Sequence, residues 1–232
     1  MARRANYFKT ARENSDAVII SGGYEFAPFG TENDRHPAVI APLKKAYDLL
    51  NYDLLLLSPS DATVLESTKI LASSDWRGPL AKPELLSKDV QGGRLAFVLF
   101  PDSGQPNKAM EDDLVRFAES LRADGKHNLI IGVSTWGAAR ESEFIEKRKP
   151  VFDIILGSGE GPGYGGLYLK DNRVLWVRAF TKGKNVHTIT IPALPKPGTK
   201  VTWDPEVSIF TAAVALGGEI ASAPEIEAIF NP

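Results

Sequence analysis

The chain has no cysteine among its 232 residues. Disulfides, thiolate metal sites, iron–sulfur clusters and a cysteine nucleophile are therefore excluded. Histidine is nearly as scarce, with three copies at His36, His127 and His187. No two of them stand four apart, the spacing that puts two imidazoles on one helix face. His36 precedes a helix, which it either caps or leaves for water. His187 falls in a β-strand, and His127 is expected at the surface. Neither sign of charge is in excess, since 27 Lys and Arg against 29 Asp and Glu leave a net charge of −2. That argues against a nucleic-acid-binding protein and against an acidic tail. No apolar run approaches the ~18 residues of a membrane span. No apolar stretch follows Met1-Ala2-Arg3-Arg4, so no signal peptide is expected. The absence of cysteine leaves the compartment open, because it says only that no disulfide is used.

What the chain does contain is a regular alternation. Residues 3–13 read as an amphipathic helix, and 17–20 as a short strand buried on both faces. A helix is expected over 37–50, its regular part beginning at Pro42 if that proline breaks it. Apolar runs at 54–57, 95–100, 129–133 and 152–156 read as further buried strands. Helices are expected over 61–70, 111–123 and Ala138–Lys147, the second with Glu111, Asp112 and Asp113 at the positive end of its dipole. Residues 76–93 carry Pro79, Pro83 and Gly92-Gly93 and read as loop with at most a short strand. After residue 166 the rhythm changes. Strands at 167–169, 174–180 and 186–191 follow one another through polar turns with no helix between them, as antiparallel hairpins do. One more strand is expected around 206–210 and a last helix over Pro224–Phe230. Alternation implies a mainly parallel sheet covered by helices, and the meander implies a second sheet packed on it. The expected class is α/β: a four-layer αββα sandwich, mixed sheet plus antiparallel meander. Residues 1–232 read as a single domain, without internal repeat or low-complexity linker.

Familiar site motifs fail on mechanism. Gly161, Gly163 and Gly166 match G-x-G-x-x-G, but that fingerprint needs a following helix whose N-terminal amides meet a phosphate. Here Leu167-Tyr168-Leu169 reads as strand. Gly132-Val133-Ser134-Thr135-Trp136-Gly137 holds a serine between strand and helix without the spacing of a nucleophile elbow. His127 lies at the far end of that same strand. What remains is a set of acids near strand ends: Glu25, Asp61, Asp102 and Glu160. Asp61, Asp102 and Glu160 suit acid/base work or a weak hard-cation site if they converge. The alternative is that Asp61 caps a helix and the others are solvated loop charges. Ser58, Thr135, Trp136, Ser158, Gly159, Glu160, Gly161 and Tyr164 mark a candidate ligand cleft at the C-terminal ends of the strands, where open α/β sheets bind ligands. Loop aromatics Tyr24, Phe26, Phe29, Trp76, Trp136 and Tyr164 either line a pocket, form a surface for a protein partner or a second copy, or pack under the loops.

Several segments, in order, resemble one family. Arg3-Arg4-Ala5 and its helix resemble a Gly-Gly-Leu-Ala-Arg segment. Tyr52-Asp53-Leu54-Leu55-Leu56-Leu57-Ser58-Pro59-Ser60-Asp61 is similar to Tyr-Asp-Ala-Val-x-Leu-Gly-Asn-His-Glu. The strand from Leu129 to Gly137 resembles one that ends Ser-His-Leu-Gly. Phe152-Asp153-Ile154-Ile155-Leu156-Gly157 is similar to Asp-x-Ile-Ile-Gly-Gly-His-Thr-His, and the stretch from Val214 to Phe230 resembles the closing strand and acidic helix. These belong to the N-terminal metallophosphoesterase domain of the 5′-nucleotidase/UDP-sugar hydrolase group, within the calcineurin-like superfamily. That resemblance implies two metal ions about 3.5–4 Å apart that clamp phosphate and activate water.

The departures fall on the ligands. The family's Asn-His pair meets Pro59 and Ser60, its strand-end His meets Thr135, and its His-x-His meets Gly159 and Gly161. Neither of the candidate positions for its Gly-Asp, near Gly22-Gly23-Tyr24, is acidic. The opening Asp-x-His strand and the nucleotide-binding C-terminal domain have no counterpart in these residues. No metal or other cofactor is therefore expected, with a weakly bound divalent cation as the alternative. The expected function is a non-catalytic, pseudophosphatase-like module for binding or assembly. The alternative is a phosphoesterase rebuilt on Asp61, Asp102 and Glu160. The resemblance also implies an exported protein.

Overall fold

The structure of the chain, a computed structural model, describes residues 1–27, 36–102, 107–180 and 183–231. The N-terminal part runs α1 (Ala2–Asn14), β1 (Ile20–Ser21), α2 (Pro37–Leu49), β2 (Leu54–Leu55) and α3 (Pro59–Ser67). The hairpin β3 (Glu84–Val90) and β4 (Gly93–Leu99) follows, then α4 (Lys108–Asp124), β5 (Leu129–Ser134), α5 (Ala138–Lys147) and β6 (Ile154–Gly157). The chain closes with β7 (Tyr164–Leu169), β8 (Val174–Arg178), β9 (Asn185–Thr190), β10 (Phe210–Ala215) and α6 (Pro224–Phe230).

Period-two alternation in the apolar strands explains the layers. The main sheet has the order β3-β4-β5-β6-β8-β7. Its inner strands β4, β5, β6 and β8 are parallel, and both edges are antiparallel. Ala96, Val98, Phe100 and Ile130 point to one face, where they meet Leu114 and Ala118 of α4 and Phe144 and Ile145 of α5. Phe97, Leu99, Leu129, Ile131 and Val133 point to the other, against Leu54, Leu56, Ile209 and Trp203. That second layer holds the parallel pair β1–β2 and the antiparallel pair β9–β10. Leu55 and Leu57 turn the opposite way from Leu54 and Leu56 and pack beneath Phe8, Ile40, Tyr47, Val64 and Leu65 of α1, α2 and α3. The result is the αββα sandwich expected from the sequence.

Four details correct the reading of the sequence. Residues 76–93 contain the seven-residue strand β3, not a loop with a short strand. Its alternation is there in Leu85 and Leu86, which pack on opposite faces of the sheet. Ser87, Lys88 and Asp89 hide it, because an edge strand tolerates polar residues. Helix α2 starts at Pro37 and continues through Pro42. The proline removes one main-chain bond, while Ile40, Ala46 and Tyr47 are buried around it. The last strand lies at Phe210–Ala215, since residues 204–208 form a turn stapled by Asp204 and Ser208. The hairpin β7–β8 joins the main sheet, so only β9–β10 of the meander enters the second layer. His127 is also displaced from expectation: it is buried beside β3, with Nε2 2.9 Å from Ser87 Oγ. His36 caps α2 through Nδ1, and His187 lies in β9 as expected. No described helix is long and apolar enough to cross a membrane.

Candidate functional site

The C-terminal ends of β1, β2, β5 and β6 meet at one edge of the sandwich. Ser158 Oγ, just beyond β6, donates to the Gly22 carbonyl and lies 2.8 Å from the Ser134 carbonyl at the end of β5. Tyr24 Oη donates to the Thr135 carbonyl at 3.0 Å. Thr135 Oγ1 in turn donates to the Asp102 carboxylate, which follows β4. All three candidate acids are near this edge, and they are used differently.

Asp61 gathers the loop after β1. Ser58 and Asp61 form a reciprocal capping box at the start of α3, each side chain accepting from the other's backbone N–H. The Asp61 carboxylate also accepts from Tyr24 N at 2.6 Å, Phe26 N at 2.8 Å, Ala27 N at 2.9 Å and Ser58 Oγ at 2.8 Å. It is fully buried. Burial pushes its carboxyl above the usual range, opposed by the bonds from Ser58, Phe26 and Ala27. An acid with both oxygens engaged by neutral donors is a structural anchor.

Arg178 gathers the loop after β6. It ends β8 opposite Gly157 and is 2% exposed. Its guanidinium donates to the carbonyls of Gly159 at 3.0 Å, Glu160 at 2.9 Å and Pro162 at 3.0 Å. Its remaining arm pairs with Glu141, in the first turn of α5, which also accepts from Trp176 Nε1 at 2.9 Å. Burial pushes the Glu141 carboxyl up against the pull of Arg178, Trp176 and Ser134. Two glycines make this packing feasible. A Cβ at Gly157 would strike the Glu141 carboxylate. Gly159 has φ of +86°, and a Cβ there would meet the Tyr24 ring at 2.9 Å.

The third acid, Glu160, is exposed, and its backbone carbonyl does the holding, accepting from Ala138 N as well as Arg178. Asp102 is half-buried, and burial raises its carboxyl while the Thr135 hydroxyl opposes. The Tyr24 phenol is pushed up to about 12 by burial and by the nearby Asp102 and Asp61.

The remaining cleft candidates are brought to the same region largely as packing. Trp136 donates through Nε1 to the Pro101 carbonyl at 2.8 Å and stands edge-on to Phe100 and Phe144. Tyr164 lies against Trp176, with ring centroids 5.1 Å apart. A Cβ at Gly161 would strike the Ala138 methyl. Among the loop aromatics, Phe26 is buried between Tyr47 and Trp76, which favours packing under the loops. Phe29 lies outside the described residues. Glu25 accepts from Ser21 Oγ and Tyr47 Oη and faces the buried Arg4 at 3.8 Å. Reading the sequence passes over Arg178 and Glu141. The available signal is a charged residue closing an otherwise apolar strand, Val174-Leu175-Trp176-Val177-Arg178, whose partner 37 positions away is not local.

No family model matches the chain, and no curated protein is similar to it in sequence. Solved structures are similar in fold. The sulfate thiohydrolase SoxB of Thermus thermophilus superposes with a TM-score of 0.73 at 13% identity, over 99% of this chain and 45% of that one. The calcineurin-like phosphoesterase YfkN of Bacillus subtilis gives 0.64 at 13% identity, over 100% and 87%. A 5′-nucleotidase precursor, also of Thermus thermophilus, gives 0.62 at 14%, over 99% and 52%. The fold is that of the calcineurin-like phosphoesterases and 5′-nucleotidases. The chain spans about half the length of the SoxB and 5′-nucleotidase structures.

The metal ions this fold implies can be tested against the residues present. Among the described residues, no three His, Cys, Asp or Glu side chains stand together as a metal site requires. On the resemblance, the family's His-x-His positions meet Gly159 and Gly161, on the loop whose carbonyls Arg178 collects. This donor set does not fit a two-metal centre. A groove of about 600 Å³ lies elsewhere, between α4 and the end of α5. Its cations Arg116, Lys147, Arg148 and Lys149 pair with Asp113, Glu143, Asp112 and Glu119.

Proposed function

We propose that this chain is a non-catalytic member of the phosphoesterase fold, a binding or assembly module rather than a hydrolase. The observation that carries the reading is Arg178. A buried guanidinium that collects the carbonyls of residues 159, 160 and 162 places positive charge where two ligand positions of the resembled family fall. The loop carbonyls that could face a cation there are already spent on this guanidinium. Asp61 supports the same reading, because its lone pairs are spent on the loop after β1. The exported location implied by the resemblance is part of the proposal, and fractionation of the native host tests it.

The direct test is an assay with nucleotides and a generic phosphate ester, with Mn²⁺, Zn²⁺, Mg²⁺ and Ca²⁺ supplied in turn, alongside elemental analysis of the purified chain. Turnover is expected to stay at the blank and no stoichiometric transition metal to copurify. A second reading, hydrolysis by an atypical carboxylate site, is favoured by Asp102 alone of the three acids, since it is half-buried with one hydroxyl partner. Turnover abolished by Asp102→Asn would establish that reading and overturn the first.

A further inference from the structure

The second layer ends in an unusual edge. Strand β10 pairs with β9 on one side, in the register Phe210↔Thr190 to Ala215↔Asn185. Just beyond it, Leu216 N donates to Lys184 O, which fixes the phase of the ladder. Residues 210, 212 and 214 therefore bond to β9, and Thr211, Ala213 and Ala215 turn their N–H and C=O groups outward. Among the described residues nothing pairs with those outward groups. The strand reads Phe-Thr-Ala-Ala-Val-Ala, with no charge and no proline. It is largely exposed, and Phe210 is 42% exposed. Natural edges are normally guarded by lysine, proline, a bulge or a covering loop, and among the described residues β10 has none of these.

We propose that β10 is the dimer interface of this protein, pairing antiparallel with β10 of a second copy about a two-fold axis at Ala213. That register matches every outward group. Ala213 faces its own mate, and Thr211 faces Ala215 of the other copy, so all three residues exchange both bonds. The side chains agree. Phe210 comes opposite Leu216 and Ala212 opposite Val214, giving apolar cross-strand pairs with no buried charge. The two-stranded sheet β9–β10, marginal alone, becomes four-stranded across the pair. The closed two-fold also uses up the edge and stops further addition. The same neutral sequence disfavours a charged peptide as occupant. The proposal stands apart from the question of catalysis, since none of the three candidate acids lies on β9 or β10.

Because the chain has no cysteine, one substitution reports on register. Ala213→Cys places two thiols in a facing pair about 5.5 Å apart at Cα, within disulfide reach. Ala215→Cys faces Thr211 instead. Sedimentation of the wild type across the micromolar range is expected to give twice the 25.2 kDa chain mass. Mild oxidation is expected to cross-link Ala213→Cys at least tenfold faster than Ala215→Cys. Ala213→Pro removes an N–H that the β9 ladder does not use, and Ala213→Lys sets like charges on the axis. Both are expected to be folded monomers by circular dichroism and sedimentation. A monomeric wild type overturns the proposal and leaves the edge to a strand of another protein. Equal cross-linking at both positions, or a dimer that survives in both Ala213 variants, overturns it as well.

Discussion

Two loops at the strand ends are held by opposite means. The loop after β1 is collected by an anion: Asp61 accepts the N–H groups of Tyr24, Phe26 and Ala27. The loop after β6 is collected by a cation: Arg178 donates to the carbonyls of Gly159, Glu160 and Pro162. The anion has only amide dipoles and a hydroxyl around it, whereas the cation has a buried counterion in Glu141. Either polarity of the backbone can thus be anchored at this edge, but only the cation brings a second charge that must also be satisfied. The two loops then touch, Tyr24 lying against Gly159 and the Thr135 carbonyl.

Breaking the cationic anchor is expected to cost most. Arg178→Met leaves Glu141 charged and unpaired in the interior, a loss of ~3–5 kcal/mol in urea unfolding. The double variant Arg178→Met/Glu141→Leu is expected to recover much of that loss. No recovery would mean that the loop carbonyls, not the ion pair, set the cost. Asp61→Ala comes next, at about 3 kcal/mol, because several buried N–H groups lose their acceptor. Asp61→Asn should fall between it and wild type, since the amide oxygen still accepts while its NH₂ meets donors. If alanine and asparagine are equal, the charge rather than the geometry holds this loop.

The contact between the loops gives the smallest effect. Tyr24→Phe removes the bond to the Thr135 carbonyl and is expected to cost about 1 kcal/mol near neutral pH. It also carries a pH signature. The folded phenol titrates at about 12, above its ordinary value of 10.0. The unfolded chain therefore gives up this proton first, and the contribution present below pH 10 is lost as pH rises towards 12. Wild type should lose stability relative to Tyr24→Phe across that window. Parallel curves for the two proteins would place the phenol in water.

Much of this architecture was legible from residue order. The apolar strands β4, β5 and β6 declare themselves because both faces are buried, and α4 and α5 by their spacing. Asp61 was legible as a capping acid, but the helix begins two residues earlier and Ser58 is its N-cap, with Asp61 closing the box from N3. The scarcity of histidine pointed at the strand ends only through the family resemblance. Hidden from the residue pattern was β3, whose solvent-facing residues blur its alternation, while β10, whose alanines carry little strand signal, was read too early at 206–210 and touched at Val214 only by the resemblance. The Arg178–Glu141 pair was hidden for another reason: it depends on β8 lying beside β6, a fact of topology that no local spacing encodes.

Asp61 and Arg178 grip main-chain atoms, and every residue type supplies a carbonyl while all but proline supply an N–H. Glu160, whose carbonyl is held while its side chain is exposed, is thereby released from the task of shaping its loop, whereas Tyr24, Glu25, Phe26 and Ser158 still serve through their side chains. A change of side chain at Glu160 should therefore leave the backbone path of its loop intact.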